Sequence, residues 1–422
     1  MRTLSLLIVS SLFATALSLS AQQSTIAALE DLHKAARSGE LDRVRALLDQ
    51  ALPVNHRDIL GSTPLHDAAW NGNPELVKLL LDRGAQVDAR HLEAGSTPLH
   101  YAVTTDHVEA VRILLDRGAQ VNATYRSGST AMHIAASRGF LEIAQMLIAK
   151  GADVNARDAA GSAPLDEAAW RGYPQMVKLL LKYHADPRGR IKDSSVTPLH
   201  EAATKGHTDV IDILISAGAD LNAIDNSGAT PLDEAIRYRH ASAAGLLMER
   251  GAKMSGGGDT NARALHDAVM RGNVSVVELL LLRNPKLRDM RYEGFTPMHA
   301  AAMKGQVEIL AVLLSMKADT EARSVSGGTP LHDAAFAGQV DAARLLLEKG
   351  AKIDAIDTET GNTPLHHAAS WGRRPVLVLL LEKGANREIR NRGGKTAADL
   401  AKDNGQLDAL GLLNADGRFT PP

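Results

Sequence analysis

The sequence predicts an all-α solenoid, and three observations support that prediction. One short segment recurs along almost the whole chain of 422 residues, and each copy holds two short apolar stretches separated by a turn. Aromatic residues make up only 3% of the chain, as expected for thin helices that stack closely. The copies are 33 or 34 residues apart, as shown by one apolar position of the segment at Leu65, Leu99, Met132, Leu165, Leu199, Leu232, Leu265, Met298, Leu331 and Leu365. Such a period indicates stacked repeats that contact only their neighbours. With Leu32 and Ala398 at the same spacing, we predict twelve repeats over residues 26–414.

Within one copy, local signals predict where each helix begins and ends. Thr63 is an N-cap residue whose hydroxyl can accept a backbone N–H of the first turn, and Pro64 follows at the first helical position. Gly72 ends this short first helix. A second, apolar helix spans Leu76 to Leu81, and Gly84 ends it in the left-handed conformation. Neither helix could bury its apolar face alone, so the copies must stack.

The motif Thr-Pro-Leu-His and its period resemble the ankyrin repeat family. The motif is complete at residues 63–66, 97–100, 197–200, 329–332 and 363–366, and near copies occupy the other repeats. The resemblance implies an all-α ankyrin-repeat solenoid of helix-turn-helix units with β-turn fingers. It also implies binding to other proteins without a cofactor. Because this fold serves as a frame for many partners, the resemblance does not identify one.

The first twenty residues do not fit the repeat and predict a signal peptide over residues 1–20. Arg2 supplies a short positive region, an apolar run follows from Leu4 to Leu17, and small residues precede Ala21. The alternative is an N-terminal membrane anchor, but the run is shorter than the ~20 residues of a membrane span. We therefore expect an exported protein, periplasmic or secreted, with no stable membrane insertion after signal removal. The absence of cysteine excludes disulfides.

The repeats divide the rest of the chain into predicted segments. Capping repeats with polar outer faces are expected at residues 26–58 and 391–417, with a tail at 418–422. Two blocks of regular repeats cover 59–252 and 263–390. Between them, residues 253–262 contain three consecutive glycines and form a Gly-rich finger or hinge. Either the superhelix breaks there or one finger is merely disordered. Elsewhere Asp106, His184 and Lys317 replace the glycine expected at a turn.

No pattern in the sequence predicts catalysis, and we expect no catalytic, cofactor-binding or metal-binding residues. The motif histidines recur once per repeat, so they are too far apart to share a metal ion. We expect each imidazole to bind the next finger and its own helix start. There is no nucleophile motif and no phosphate-binding loop. The balance of 47 basic against 49 acidic residues does not favour nucleic acid, and we expect a monomer.

The positions that the repeat leaves free carry the functional prediction. In ankyrin-like repeats, the finger residues before Thr-Pro and the residues around the turn after each first helix face a concave groove, here called the predicted groove. Eight of the 14 aromatic residues, including every tryptophan, fall at these positions. Trp and Tyr dominate binding hot spots, although they could also fill surface between fingers. The candidate residues are Trp70, Asn71, Tyr125, Trp170, Arg171, Arg237, Tyr238, Tyr292, Phe295, Phe336 and Trp371.

A second group of candidates is acidic and follows the motif histidine or its Asp replacement. These residues are Asp67, Glu167, Glu201, Glu234, Asp267 and Asp333. They could select a basic partner, or they could neutralise helix N-termini. Basic residues one helical turn later could pair with them and reduce that selectivity, namely Arg171, Lys205, Arg237, Arg271 and Lys304.

Together these patterns predict a non-enzymatic scaffold that binds a protein partner in the predicted groove. One alternative is a secreted effector that binds host proteins. The other is a small-ligand binder or enzyme that uses a groove pocket, for which Gly256–Gly258 is the candidate place.

Overall fold

A computed structural model of the chain describes residues 23–125, 127–255 and 258–414, without the side chains of 258–260. The predicted signal peptide, the tail at 418–422 and the glycines at 256 and 257 lie outside the described residues. Within the described part of the chain there are no strands, only single β-bridges from Thr124 to Thr130 and from Tyr292 to Phe295. The all-α ankyrin-repeat solenoid that the sequence predicts is confirmed.

The described residues form twenty-four α-helices and one 3₁₀ helix. Odd-numbered helices are the first helices of the repeats and even-numbered helices are the second. Their bounds are α1 (23–38), α2 (Leu41–Leu48), α3 (Pro64–Asn71), α4 (Pro74–Asp82), α5 (Pro98–Thr104), α6 (Val108–Asp116), α7 (Ala131–Arg138), α8 (Leu141–Ala149), α9 (Pro164–Arg171), α10 (Pro174–Lys182), α11 (Pro198–Lys205), α12 (Thr208–Ser216), α13 (Pro231–Arg237), α14 (Ala241–Glu249), α15 (Gly258–Met270), α16 (Val274–Arg283), η1 (Pro285–Asp289), α17 (Pro297–Lys304), α18 (Val307–Ser315), α19 (Pro330–Ala337), α20 (Val340–Glu348), α21 (Pro364–Ser370), α22 (Arg374–Glu382), α23 (Ala397–Asp403) and α24 (Leu407–Asn414).

The motif residues build the start of most first helices as a reciprocal cap. In α3 the backbone N–H of Thr63 donates to His66 Nδ1 at 3.1 Å, and Gly72 ends the helix at φ 84°. Because Nδ1 accepts this bond, the neutral imidazole carries its hydrogen on Nε2. His66 Nε2 therefore donates to the carbonyl of Ser96 on the next finger, at 3.1 Å. This confirms the expected bonding at His66. At His266 the expectation is wrong, because α15 begins eight residues earlier and His266 Nδ1 has no hydrogen-bond partner within the described residues.

Seven described residues other than glycine adopt the left-handed conformation, and three of them, Asp106, His184 and Lys317, stand where the sequence analysis expected glycine at a turn. The φ angles are 59° at Asp106, 66° at His184 and 62° at Lys317. A side chain in this region costs about 1–2 kcal/mol because Cβ approaches the following carbonyl oxygen. The turn is thus dictated by the stacking of the helices and is kept even where the sequence does not favour it.

Residue contacts divide the chain into two units, Met1–Ser227 and Gly228–Pro422. Within each unit, first helices pack against first helices and second helices against second helices. The motif leucines, such as Leu65 and Leu331, are fully buried between the layers. None of the described helices combines the length and apolar character needed to cross a membrane.

The predicted Gly-rich finger at 253–262 differs from the structure in its second half. Helix α15 begins at Gly258 and runs for 13 residues, whereas the other first helices from α3 onward span seven or eight residues. No Thr-Pro pair marks a helix start in this repeat, so the helix extends towards the glycines. The prediction of a finger over 258–262 is therefore wrong. The hinge itself stays a prediction, and it would lie inside the second unit.

Candidate functional site

Three of the predicted aromatic residues expose about half of their surface. Trp70, Tyr238 and Trp371 lie at or directly after the last turn of a first helix, with 49%, 52% and 53% of their surface exposed. Trp170 and Phe336 occupy the equivalent place in their repeats and are also exposed. Large aromatic rings left in water at one repeated place are available for contact with another molecule.

Two of these rings are held by aromatic neighbours in the next repeat. Trp70 meets Tyr101 edge to face, with ring centroids 5.9 Å apart, and Phe336 meets Trp371 in the same way at 5.0 Å. Tyr101 also stacks on His91. Sequence reasoning missed Tyr101, although it occupies the repeat position of Asp67 and could have been found by aligning the repeats.

The backbone beneath the exposed rings is held by the following repeat. His107 Nε2 donates to the carbonyl of Trp70 at 3.0 Å, and His207 Nε2 donates to that of Trp170 at 3.1 Å. Arg373 Nε donates to the carbonyl of Phe336 at 2.9 Å. Because the helix ends are anchored, these aromatic residues lose little backbone entropy when a partner binds.

The predicted finger aromatics pack against histidines and are less exposed than the aromatic residues at the helix ends. Tyr125 lies edge-on to His100 and Tyr292 is tilted over His266, each with ring centroids 5.2 Å apart. The remaining finger residue contacts the motif histidine of its own repeat, with Phe295 and His299 centroids 6.2 Å apart. Each of these three rings is therefore partly exposed at the surface and partly buried in the contacts of the fingers.

The basic and amide candidates differ in whether their side chains already make contacts within the protein. Asn71 Nδ2 donates to the carbonyl of Arg37 at 3.2 Å, which ties it to the preceding repeat. Lys205 places its Nζ 3.7 Å from the centre of the Trp170 ring, a cation–π contact. Arg171 is exposed, whereas Arg237 pairs with Glu234 at 2.7 Å.

Some of the acidic candidates are internal and already paired. Asp67 is only 4% exposed, and its carboxylate accepts from His33 Nδ1 at 2.7 Å and from Arg37 at 2.7 and 3.0 Å. Glu234 is buried against Arg237, and Asp267 lies 3.8 Å from Arg263. Glu167 and Glu201 are half-buried. The pairing expected between acids and bases one turn apart is present at Glu234.

Burial changes the protonation of two carboxyl groups on first helices. Desolvation raises the pKa of Asp333 to about 7, and its Oδ2 has no hydrogen-bond partner within the described residues. Asp166, which replaces the motif histidine, also has its pKa raised to about 7 by burial, against the opposing effects of the Ala163 N–H and Arg157. Both groups can be neutral near physiological pH.

The motif histidines are structural. Burial lowers the pKa of His66, His299 and His332 to about 4, so these rings are neutral. Their Nε2 atoms donate to finger carbonyls at 3.1 Å. A neutral ring with both nitrogens bonded has no free position for a metal ion or a transferred proton.

One cluster of possible metal ligands was not predicted. His33, Asp58 and Asp67 each place one ligand atom within 4.8 Å of the others. Arg37, however, makes two bonds to Asp67 and lies 3.5 Å from Asp58. This guanidinium already supplies the positive charge that the two carboxylates need, so the cluster is an ion-pair network that joins the first two repeats.

Comparison with known families agrees with this geometry. The family described as "Ankyrin repeats (3 copies)" matches residues 23–91, 86–158, 125–191, 165–256 and 265–357. The family described as "Ankyrin repeats (many copies)" matches residues 346–401. A search of curated proteins found no match. The matches cover most of the chain, and proteins of this kind are generally non-enzymatic. The chain therefore belongs to the ankyrin repeat family, whose repeats indicate a protein–protein interaction scaffold.

Proposed function

We propose that the predicted groove binds a protein partner through its exposed aromatic residues. One observation carries the proposal, namely that all three tryptophans are exposed at the ends of first helices while the core is aliphatic. A Trp in this place exposes apolar surface to water, which is unfavourable, and its ring does not pack in the core. Binding to an apolar surface of a partner would recover the hydrophobic free energy of these rings.

The contacts beneath the rings support a preformed surface. Trp70 is fixed by its edge-to-face contact with Tyr101 and by the bond from His107 to its carbonyl. Trp170 is covered on one face by Lys205 and anchored by His207. A partner would find these side chains already ordered, and the free energy of binding would not be spent on arranging them.

The test compares two triple variants of the full chain in affinity capture with crosslinking and mass spectrometry. In the first variant Trp70, Trp170 and Trp371 are changed to Ala. The matched control changes three exposed apolar residues on or next to second helices, Tyr183, Leu282 and Leu407, which are 42%, 75% and 74% exposed. Both variants remove exposed apolar area, so nonspecific hydrophobic binding decreases in both.

We expect the tryptophan variant to lose the captured partner while the control retains it. Crosslinks in the wild-type complex should then fall near the first-helix ends. Equal capture by wild type and tryptophan variant would refute the groove as the site. Circular dichroism on both variants checks that helicity is unchanged, because no substituted side chain belongs to the core.

We also propose that the protein is exported and acts in the periplasm or outside the cell. The support is the pattern of Arg2, the apolar run from Leu4 to Leu17 and the small residues before Ala21. N-terminal sequencing of the protein from separated periplasm and culture supernatant tests this. A start at Ala21 in the periplasm supports an envelope scaffold, and the same start in the supernatant supports an effector. An intact Met1 in the cytoplasm would refute export.

A further inference from the structure

The first repeat carries a motif histidine whose bonding differs from that of His66. His33 lies in the middle of α1, and no Thr-Pro pair precedes it. Its Nδ1 therefore takes no part in a reciprocal cap and instead donates to the Asp67 carboxylate at 2.7 Å. In the neutral ring the hydrogen then lies on Nδ1, and Nε2 keeps its lone pair. This is the opposite tautomer to that of His66, whose Nε2 carries the hydrogen and donates to a finger carbonyl.

The finger that faces His33 places a second histidine against this lone pair. His56 Nδ1 lies 3.3 Å from His33 Nε2, and the two rings meet edge to face with centroids 5.5 Å apart. Burial and the nearby His33 lower the pKa of His56, against an opposing effect of Asp58, so the His56 ring is neutral at pH 7. Six other fingers have alanine at the position of His56, namely Ala89, Ala123, Ala156, Ala223, Ala322 and Ala355. The repeat itself therefore does not require a histidine here.

A carboxylate oxygen lies beside the two imidazoles. One oxygen of Asp58 is within 4.8 Å of a His33 nitrogen. Asp58 Oδ1 accepts two backbone N–H groups of its own finger, at 3.0 and 2.9 Å, whereas Oδ2 lies 3.5 Å from Arg37, at the outer limit of a hydrogen bond. Arg37 makes its closer bonds to Asp67, at 2.7 and 3.0 Å. Asp67 is thus occupied as an acceptor, and Asp58 Oδ2 is the oxygen that can turn towards a cation.

The separation of the two nitrogens fits a shared metal ion. Zinc binds histidine nitrogens at about 2.0–2.1 Å, and two tetrahedral ligands at that length are about 3.3–3.4 Å apart. As a hydrogen bond, 3.3 Å is long. Histidines that bind metal commonly donate their other ring N–H to a carboxylate, which orients the ring. His33 already has this arrangement with Asp67.

A cavity of about 530 Å³ opens at the two histidines and gives an ion a route from solvent. Its lining includes His33, His56 and Asp58, together with Glu30. A zinc ion held by three protein ligands needs a fourth, which is commonly water. The cavity provides room for that water.

The remaining charges of the lining select the class of ion. Arg37 is neutralised by Asp67, and Arg57 donates to the finger carbonyl of Gly61 at 2.9 Å. Lys34 is exposed to solvent. Calcium and magnesium need a shell of oxygen ligands, which these residues do not form, whereas imidazole nitrogens suit zinc. The donor set therefore favours zinc.

From this arrangement we infer that His33 Nε2, His56 Nδ1 and Asp58 Oδ2 bind a zinc ion at the interface between the first two repeats. The ion takes the place of the hydrogen between the two nitrogens, and His56 carries its hydrogen on Nε2 instead. Asp67 orients His33 without binding the metal. The bound ion joins the N-terminal capping repeat to its neighbour and stabilises the folded state. This site is independent of the proposed function, because none of its three ligands is among the aromatic residues of the predicted groove.

The experiment titrates Zn²⁺ into the untagged full chain, first stripped of metal, by isothermal titration calorimetry at about pH 7.5, where the ligands are deprotonated. His56→Ala removes one ligand and introduces the residue that six other fingers have. Asp58→Asn keeps a side-chain oxygen for the finger N–H groups and removes the charge. His91→Asn is the matched control, because it removes a histidine from the next finger and introduces the residue that the last finger has there, Asn391. Circular dichroism checks that all variants keep their helicity.

We expect the wild type to bind one Zn²⁺ per chain. Loss of a residue that only orients a ligand lowers metal affinity about 10- to 100-fold, so His56→Ala should weaken binding at least about 100-fold, Asp58→Asn about 10- to 100-fold and His91→Asn less than about 3-fold. Zn²⁺ should also raise the Tm of the wild type and of His91→Asn but not that of His56→Ala.

Two results would overturn the site. One is the absence of saturable Zn²⁺ binding to the wild type, and the other is equal affinity of the wild type and His56→Ala. A second measurement on the unchanged protein uses Cu²⁺ as the probe, since its electron paramagnetic resonance spectrum counts the bound nitrogens. Coupling to two imidazole nitrogens supports the site, and coupling to one or none contradicts it.

Discussion

Asp166→Asn tests whether a carboxylic acid in the repeat motif is protonated in the folded protein. Asp166 stands where the motif has histidine, and its Oδ2 accepts from the Ala163 N–H at 2.7 Å. Its Oδ1 has no hydrogen-bond partner within the described residues, and the residue is 2% exposed. Asparagine has nearly the same shape as the protonated acid and can accept the same N–H, but it does not titrate.

The size of the stability change follows from the difference between the pKa of Asp166 in the unfolded chain and its pKa in the folded protein. Burial raises the pKa of Asp166 from 3.8 to about 7. Because the pKa is higher in the folded protein than in the unfolded chain, Asp166 makes its full contribution to stability below pH about 4. This contribution is lost as the pH rises to about 7. With about 1.4 kcal/mol for each pH unit, the wild type loses about 4 kcal/mol over this window. Asparagine does not titrate. The Asp166→Asn variant should therefore have the same free energy of unfolding as the wild type near pH 4, and a value about 4 kcal/mol higher than the wild type above pH 7.5.

Asp399→Asn is a matched control with the opposite sign. Asp399 occupies the same motif position, and its carboxylate accepts from the N–H and the hydroxyl of Thr396, each at 2.9 Å. It is exposed to solvent, and these hydrogen bonds lower its pKa. The contribution of Asp399 to stability is present above the ordinary pKa of Asp and is lost as the pH falls. Asp399→Asn should therefore destabilise the protein at neutral pH, and the difference should disappear in acid.

The assay is urea unfolding followed by circular dichroism at several pH values between about 4 and 8.5, at constant ionic strength, with the m-values compared. A difference between Asp166→Asn and wild type that stays the same at pH 5 and pH 8 would refute the reasoning. It would mean that Asp166 is ionised in the folded state, with its charge held by Arg157 at 3.4 Å.

Three further predictions concern stability, the third of them a comparison of two glycine variants, and each is measured by urea unfolding against the wild type. Asp67→Ala should cost about 2–3 kcal/mol because it leaves His33 and Arg37 without their acceptor; a cost near zero would show that Asp67 is not structural. His184→Gly should gain about 1 kcal/mol, since φ at this residue is 66° and glycine relieves the strain; a loss of stability would show that the imidazole has a role that the backbone conformation hides. Gly84→Ala should cost about 1 kcal/mol for its left-handed conformation alone, because no atom lies within 4 Å of the added Cβ. Gly327→Ala should cost about 1–3 kcal/mol more, since its Cβ would lie 1.7 Å from Thr358 Oγ1, and equal costs for both would contradict the contact.

The placement of the helices could be predicted because each boundary depends on residues close in sequence. Thr63 and Pro64 start α3, and Gly72 ends it, so three positions within one helix length determine the element. The left-handed turn at Asp106 could be anticipated from the period alone, since every other repeat except the one with Arg239 has glycine there. The exception is α15, where the local start signal is missing and the helix begins earlier, at Gly258.

The candidate site was predicted less completely, because its properties come from pairs of residues a repeat apart. The exposure of the tryptophans follows from their repeat position. The pairing of Asp67 with His33, 34 residues earlier, does not, and neither does the contact of Trp70 with Tyr101. Whether an acid at the same repeat position is buried or free depends on what the neighbouring repeat presents to it.

Sequence alone therefore determined the repeat, the helix boundaries and the bonding of most motif histidines, because these depend on spacing and on caps within a few residues. Only the tertiary structure decided that Asp166 and Asp333 are desolvated, and that Arg37 neutralises Asp58 and Asp67. The physical reason is that solvation and charge depend on all neighbouring atoms, and stacking supplies those atoms from repeats about 33 residues away in the chain.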